Sequence, residues 1–281
     1  MCKERVYIAK KVFLEYILPY EENMEDLTQI LQWYVLSGVD DICDEVPLCV
    51  VGAEKQNETQ KKAEKIIRPA TTLLAQSNNE ACNNARDVCA LAQTLDDLKS
   101  IMENFEGCSL KFSANSTVFG YGNPHAEVMI IGEAPGADED IAGEPFVGRC
   151  GKLLSKMLSA IGIEREDCFI TNVLPWRPPG NRTPTDGEVA VCLPFLKRQI
   201  ELVKPKIILL LGGSSAKAVL NTEERISNIR GRIIEYVSDS GERFATISSY
   251  HPAYLLRSPQ YKANAWGDFL RLQKKLREKE S

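Results

Sequence analysis

Four short apolar runs in the second half of the chain constrain its fold more than any other feature. They cover residues 128–131, 168–171, 207–211 and 244–248, and amphipathic helical patterns separate the first three. Strands that alternate with helices in this way are typical of βαβ units, which build parallel sheets with helices on both faces. We therefore predict an α/β fold with a mainly parallel, four-stranded central sheet.

The first 107 residues differ from the rest in charge and in pattern. Residues 1–107 hold 11 Lys and Arg against 19 Asp and Glu, whereas residues 108–281 hold 23 against 20. Helical spacing of apolar residues occurs over 25–38 and about 91–105, and the stretch around 53–80 is largely polar. We predict a helical amino-terminal extension over 1–107, with a polar linker around 53–80, and an α/β domain over 108–281.

Composition excludes several classes of protein. The chain of 281 residues is 44% hydrophobic and 26% charged, which is typical of globular proteins, and no apolar run approaches the length of a membrane span. The weakly basic second part suits a polyanion held in a local cleft. Nine irregularly spaced cysteines, without a signal-peptide pattern, are expected to be reduced thiols. We expect a cytoplasmic monomer that does not bind membranes.

Glycine, proline and polar side chains follow the predicted strands at their carboxyl ends, where parallel sheets bind ligands. Asn172 ends the second strand, a stiff cationic loop over 177–184 follows it, and a Gly-Gly-Ser-Ser turn over 212–215 follows the third. An Asn amide can match the edge of a pyrimidine, the Phe146 ring can stack on it, and free N–H groups of the turn can bind phosphate. These features predict a pocket for a base removed from its stack.

Five segments in a fixed order carry a family resemblance over about 108–275. They are GEAPGADEDIAGEPFVGRCGKLL, ITN followed by RPPGNRTPT, LLLGGSSAKAVL, RGR at 230–232, and HPAYLLR. Together they resemble the family 4 uracil-DNA glycosylases. The resemblance implies an α/β/α sandwich and a base excision repair hydrolase. Such an enzyme flips uracil out of damaged DNA, hydrolyses its N-glycosidic bond and leaves an abasic site.

The resemblance also implies roles for single residues. Phe146 corresponds to the stacking residue, Asn172 to the residue that reads uracil and His251 to the histidine of the second motif. We expect His251, Glu133 and Glu139 to be catalytic, and Gly132 and Ala134 to complete the uracil pocket. Ala134 stands where family 1 enzymes have the aspartate that handles water, so the choice between the two glutamates stays open. The expected DNA contacts are Arg177, Asn181, Arg182, Gly213, Ser214, Ser215, Leu255, Leu256 and Arg257.

The cysteines depart from the family pattern. Family 4 members bind a [4Fe–4S] cluster through four cysteines, and only Cys108 and Cys192 remain here, because Lys111 and Trp176 occupy the other two positions. A cluster needs four thiolates, and the spacing of Cys82, Cys89, Cys150 and Cys168 does not form a ligand set. We predict no cluster, no metal and no other cofactor. The pattern resembles a cluster-free variant from alphaproteobacteria, which also has a helical amino-terminal extension.

Each of these functional roles has a structural alternative. His251 could be a turn residue, Phe146 a core residue, Asn172 a turn cap, Glu133 a helix-dipole carboxylate, and Glu139 one member of a solvated acidic run. At the level of function, the alternatives are a DNA-binding subunit without catalysis and a glycosylase for another deaminated base. A phosphate loop at 143–149 fails, because Arg149 and Cys150 replace its lysine and its hydroxyl residue.

Overall fold

The computed structural model describes residues 70–278, with side chains from residue 80 onward. The helix predicted over 25–38 lies outside the described residues. The helices are α1 Ala70–Leu91, α2 Leu95–Asn104, α3 Ala137–Ala142, α4 Arg149–Ser159, α5 Asp186–Val203, α6 Gly213–Leu220, α7 Ile226–Ile229, α8 Pro252–Arg257 and α9 Lys262–Arg277. The strands are β1 Tyr121–Gly122, β2 Val128–Gly132, β3 Cys168–Asn172, β4 Ile207–Leu211, β5 Ile233–Val237 and β6 Arg243–Ser249.

A single mixed sheet with strand order β1-β3-β2-β4-β6-β5 forms the centre of the fold. The four predicted strands are β3, β2, β4 and β6, and they pair in parallel with one another. β1 and β5 add antiparallel edges. The α/β prediction is therefore confirmed, but the sheet has six strands rather than four. The sequence concealed β1 because it has two residues, and β5 because its Ile233 and Val237 are exposed and it lacks a buried apolar run.

Strand register brings the carboxyl ends of the parallel strands to one edge of the sheet. Gly132 at the end of β2 pairs with Asn172 at the end of β3. Leu211 at the end of β4 pairs with Ser249 at the end of β6. All residues of β2, β3 and β4 are buried, which explains their continuous apolar runs. The loops that leave these four strands consequently meet on one side of the molecule.

Two predicted helices of the second half, α4 and α5, cover the sheet. The apolar pattern over 153–161 belongs largely to α4, whose buried residues include Leu154 and Met157. The pattern over 189–200 belongs to α5. At its start, the Thr185 hydroxyl accepts a hydrogen bond from Glu188 N–H, and the Glu188 carboxylate accepts one from Thr185 N–H. This reciprocal cap satisfies two N–H groups that the helix leaves unpaired and fixes where α5 begins.

Helices α1 and α2 pack on α5 and share its core. Buried residues of α1 and α2, among them Cys89 and Met102, belong to the same apolar cluster as Phe195 of α5. α1 begins inside the range 53–80 that was predicted as a polar linker, and the earlier part of that range lies outside the described residues. α2 corresponds to the pattern predicted over 91–105. Within residues 70–278, no helix is long and apolar enough to cross a bilayer.

Candidate active site

The Phe146 ring and the Asn172 amide meet above the end of β2. A Cβ at Gly132 would overlap both the Asn172 amide oxygen and the Phe146 ring, so only glycine allows this approach. Asn172 is 5% exposed, and its amide forms no hydrogen bond within the described part of the chain, although neither amide atom is fully buried. An amide that keeps a small opening to solvent and has no protein partner can donate and accept hydrogen bonds with a ligand. The Asn172 amide is therefore placed to bind a ligand.

Phe146 adopts a backbone conformation that is rare for an aromatic residue. Its φ angle is 55°, in the left-handed region, and such a conformation costs on the order of 1–3 kcal/mol for a residue other than glycine. The Phe146 carbonyl also lies against helix α4, where a Cβ at Gly151 would overlap it. The ring consequently reaches Gly132 through a backbone turn that neighbouring groups must hold in place.

His251 begins α8, and its ring is neutral. Its Nδ1 accepts a hydrogen bond from Ala253 N–H at 3.1 Å, so the proton of the neutral ring is on Nε2. Burial and the Arg257 cation lower the pKa of His251 to about 4, against a smaller opposing effect of Glu139. The His251 and Phe146 ring centroids lie 5.7 Å apart. The two rings thus border one site, which we call the strand-end pocket (Gly132, Phe146, Asn172 and His251).

Glu139 and Glu133 lie in different surroundings. The Glu139 carboxylate accepts hydrogen bonds from three backbone N–H groups, at Gly136, Val147 and Gly148, over 2.9–3.1 Å. Both of its oxygens are therefore used to fold the loop that carries Phe146. Glu133 accepts one hydrogen bond through Oε2, from the Ser214 hydroxyl at 2.8 Å. Glu133 therefore keeps acceptor capacity that Glu139 has lost.

The loop after β3 uses its cationic side chains within the protein. The Arg177 Nε donates to the Asn181 amide oxygen at 2.8 Å. Arg182 forms a two-pronged ion pair with Glu188, at 2.9 and 2.5 Å. Its guanidinium lowers the pKa of Glu188 to about 2, chiefly through these hydrogen bonds. The Arg182 charge is thus already paired, although the sequence indicated a free phosphate contact.

Two of the predicted DNA contacts are inside the protein. Leu255 is 0% exposed, whereas its neighbour Leu256 is 36% exposed and Arg257 also faces solvent. Successive side chains of α8 differ in direction by about 100°, so Leu255 does not reach the surface as its predicted DNA contact requires. Ser215 is also fully buried, and its hydroxyl donates to the Gly212 carbonyl at 3.1 Å. Gly213 and Ser214 remain exposed on the same turn.

Cys108, Trp176 and Cys192 belong to one apolar core cluster, and we call these three residues the cysteine–tryptophan core. The two sulfur atoms lie 3.9 Å apart, and both thiols are buried. The Trp176 indole is 1% exposed and donates to the Thr117 hydroxyl at 3.0 Å. Lys111 points elsewhere and donates to the Glu103 carbonyl. Two thiols, an indole and a lysine do not match the four thiolates of a [4Fe–4S] cluster.

No group of three or more His, Cys, Asp or Glu side chains within residues 80–278 has the arrangement of a metal site.

Two residues that the sequence patterns did not mark, Arg165 and Asp140, hold loop backbone in place. Arg165 donates to the carbonyls of Pro145 and Phe146. Asp140, in the acidic run, is 1% exposed and binds the Asn115 backbone and amide at 2.8 and 2.7 Å. No local sequence signal marks either residue, because each binds groups that are distant in the sequence.

The chain is similar to known proteins over the part that contains this site. The family model described as Uracil DNA glycosylase superfamily matches residues 119–270. A type-4 uracil-DNA glycosylase of Archaeoglobus fulgidus is 42% identical over 184 residues, which cover 64% of this chain and 92% of that protein. The type-4 enzyme of Saccharolobus solfataricus is 40% identical, with 66% and 88% covered, and that of Thermotoga maritima is 41% identical, with 54% and 77% covered.

Proposed function

The chain belongs to the uracil-DNA glycosylase superfamily and, within it, to the type-4 uracil-DNA glycosylases, and we propose that it excises uracil from DNA by hydrolysing the N-glycosidic bond. The observation that carries this proposal is the strand-end pocket, where a stacking ring, an unpaired amide and a neutral imidazole border one site. A flipped pyrimidine needs a plane to stack on and a partner for its polar edge. Phe146 and Asn172 have the chemistry for these two tasks.

His251 is the group that we assign to the leaving base. Cleavage leaves negative charge on the uracil, and a fixed N–H donor at a carbonyl oxygen stabilises that charge in the transition state. The neutral ring with its proton on Nε2 can donate there without being protonated first. The sheet end and the α8 cap hold the ring before DNA binds, so little reorganisation is needed. One such donor contributes about 3 kcal/mol to a reaction barrier.

Glu133 is the carboxylate that we assign to the sugar cation or the attacking water. The reason is the difference in hydrogen bonding, because Glu139 uses both oxygens on backbone N–H groups whereas Glu133 accepts only from Ser214. A carboxylate with free lone pairs can orient water or stabilise positive charge. We assign Glu139 instead to positioning the Phe146 loop. Ala134, next to Glu133, and Gly132 complete the wall of the proposed pocket.

We infer the DNA contacts from exposed groups that have no partner within the described residues. We assign phosphate binding to Arg257 and to the exposed N–H groups at Gly213 and Ser214, and assign Leu256 to the displaced base stack. Arg177 and Asn181 bind each other, so we assign them to the shape of the loop. We propose that the protein acts as a monomer.

We propose that this protein works without a [4Fe–4S] cluster, because two of the four family ligand positions hold a buried Trp176 bound to Thr117 and a Lys111 bound to the Glu103 carbonyl. The experiment measures iron after anaerobic incubation with ferrous iron and sulfide. The wild-type chain should retain none, while K111C/W176C, which supplies four thiols, should gain absorbance of a cluster. Stoichiometric iron in the wild type would overturn this part.

We further propose that residues 1–107 are an extension and that 108–281 form the catalytic domain. Because α1 and α2 pack on α5, the described part of the extension should be kept when the domain is expressed alone. Deleting residues 1–69 should leave uracil excision unchanged. Loss of excision in a folded, soluble truncation would assign the missing segment to the site.

The proposed reaction is tested with the full chain and oligonucleotides that hold one uracil, one hypoxanthine or one mismatched thymine. Alkali-labile abasic sites reveal base excision. We expect cleavage at uracil at least a hundredfold faster than at hypoxanthine, because the Asn172 amide suits a pyrimidine edge. Binding of all three oligonucleotides without cleavage would instead indicate a DNA-binding subunit, and faster cleavage at hypoxanthine would indicate a different substrate base.

A further inference from the structure

Something must hold the left-handed backbone of Phe146 in place. Its φ angle of 55° is unfavourable for a residue with a large side chain. Without restraint, this residue would relax to an ordinary conformation and carry its ring away from Gly132 and Asn172. The carbonyls of Pro145 and Phe146 can accept hydrogen bonds, so a neighbouring side chain can fix the turn by donating to them.

Arg165 donates a hydrogen bond to each of these carbonyls. Its two terminal nitrogens donate separately, one to the Phe146 carbonyl at 2.9 Å and the other to the Pro145 carbonyl at 2.6 Å. A planar guanidinium can span two carbonyls in this way, whereas a lysine ammonium acts as a point charge. Arg165 lies in the short turn Arg165–Asp167 that precedes β3, so it ties the Phe146 loop to the sheet.

Tyr121 also contacts the guanidinium. The Arg165 guanidinium carbon lies 4.9 Å from the centre of the Tyr121 ring, a distance typical of cation–π contacts. Tyr121 belongs to edge strand β1 and pairs with Ile170 in β3. The half-buried guanidinium thus contacts both a ring on the sheet and the two carbonyls of the loop.

We propose that Arg165 is a positioning residue for uracil recognition, which acts by holding Phe146 in the conformation that places its ring in the strand-end pocket. The inference rests on the proposed function, because the ring needs this position only if it stacks on a flipped base. Arg165 itself need not touch the base or the sugar. Its effect should therefore pass entirely through Phe146.

A double-mutant cycle separates this role from a general structural one. The four proteins are wild type, Arg165→Lys, Phe146→Ala and the double variant, and the measurements are the single-turnover rate at saturating enzyme and the affinity for abasic-site DNA. Arg165→Lys should slow uracil excision about tenfold, a part of what base stacking contributes. Its affinity for abasic DNA should stay within twofold of wild type. In the Phe146→Ala background, the same change should have no further effect on the rate.

Two further variants keep the test sharp. Arg243→Lys alters an exposed arginine of β6 that pairs with Glu235, and it should behave like wild type. Gly151→Ala would displace the Phe146 carbonyl, which accepts one of the Arg165 hydrogen bonds, while the Arg165 side chain stays unchanged, so it should reproduce the slow excision with normal abasic-DNA affinity. Thermal unfolding shows which variants are folded at the assay temperature.

The outcomes distinguish this proposal from the proposed function. If the wild-type protein does not excise uracil, the proposed function is wrong. If the wild type excises uracil and Arg165→Lys does so equally fast, the function stands and the positioning role is wrong. An equal loss of rate with and without the Phe146 ring would also overturn the positioning role. A loss confined to the proteins that retain the ring supports it.

Discussion

Asn172 and Trp176 are four residues apart in the sequence, but they differ in whether their side-chain polar atoms have hydrogen-bond partners. The Asn172 amide lies in the strand-end pocket, is not fully buried and has no hydrogen-bond partner within the described residues. The Trp176 indole is buried in the cysteine–tryptophan core, and its N–H is satisfied by Thr117. A motif position with an unsatisfied polar group is available for chemistry, whereas one with satisfied polar atoms contributes to stability.

We expect the largest effect on the rate of uracil excision from a substitution in the strand-end pocket. Asn172→Ala should slow uracil excision on the order of a thousandfold, because it removes both a donor and an acceptor from the base edge. Asn172→Asp is the matched control, since it keeps the size while it adds a charge and changes the hydrogen-bond pattern, and it should relax the choice of base. The measurement is single-turnover cleavage of uracil- and cytosine-containing oligonucleotides. Wild-type cleavage of uracil by Asn172→Ala would remove this amide from the pocket.

The cysteine–tryptophan core should respond in stability instead. Trp176→Ala should lower the free energy of unfolding by about 3–5 kcal/mol, because a large buried ring is lost and a cavity remains. Trp176→Phe should lower it by less, since it keeps most of the volume and gives up the Thr117 hydrogen bond. Denaturant unfolding measures both variants, and the excision rate of the folded protein should stay within twofold. A slow but fully stable Trp176→Ala protein would contradict the comparison.

How far the sequence predicted this molecule can be argued from the same residues. The buried parallel strands could be predicted, because strands covered on both faces are continuous apolar runs. Edge strand β5 could not, because its exposed Ile233 and Val237 break that pattern. Asn172, Phe146 and His251 lie next to strand ends and carry motifs. Arg165 and Asp140 act on distant backbone groups, and the pairing of Arg182 with Glu188 depends on a loop conformation, so local sequence patterns do not specify them.

We expect a smaller effect on the salt dependence of DNA affinity. It compares Arg257, which has no ion pair within the described residues, with Arg182, which pairs with Glu188. Arg257→Ala should reduce the slope of log affinity against log salt concentration by about 1, as expected for one lost phosphate contact. Arg182→Ala with Glu188→Ala should leave the slope unchanged, because it removes a pair that already neutralises itself. Fluorescence titrations of abasic DNA at several salt concentrations measure the slopes. Equal slopes for Arg257→Ala and wild type would assign the phosphate contact elsewhere.

We expect the single-turnover rate to change least with pH near 6.5. Because burial lowers the pKa of His251 to about 4, the ring stays neutral above that value and its charge does not change near 6.5, the ordinary pKa. The folded protein resists protonation of His251 more than the unfolded chain does, so this residue makes stability rise with pH between about 4 and 6.5. Single-turnover rates should show no step near pH 6.5. A step that disappears in His251→Gln would indicate a protonated catalyst.

We assign His251 to stabilising the transition state rather than to binding DNA. For His251→Ala, the single-turnover rate at saturating enzyme and the dissociation constant for abasic DNA separate these two roles. We expect the rate to fall by on the order of a hundredfold or more and the dissociation constant to stay within twofold of wild type. A near wild-type rate would show that His251 does not stabilise the transition state. Stabilisation of the uracil anion would then belong to other donors, and Glu133 would become the leading catalytic residue.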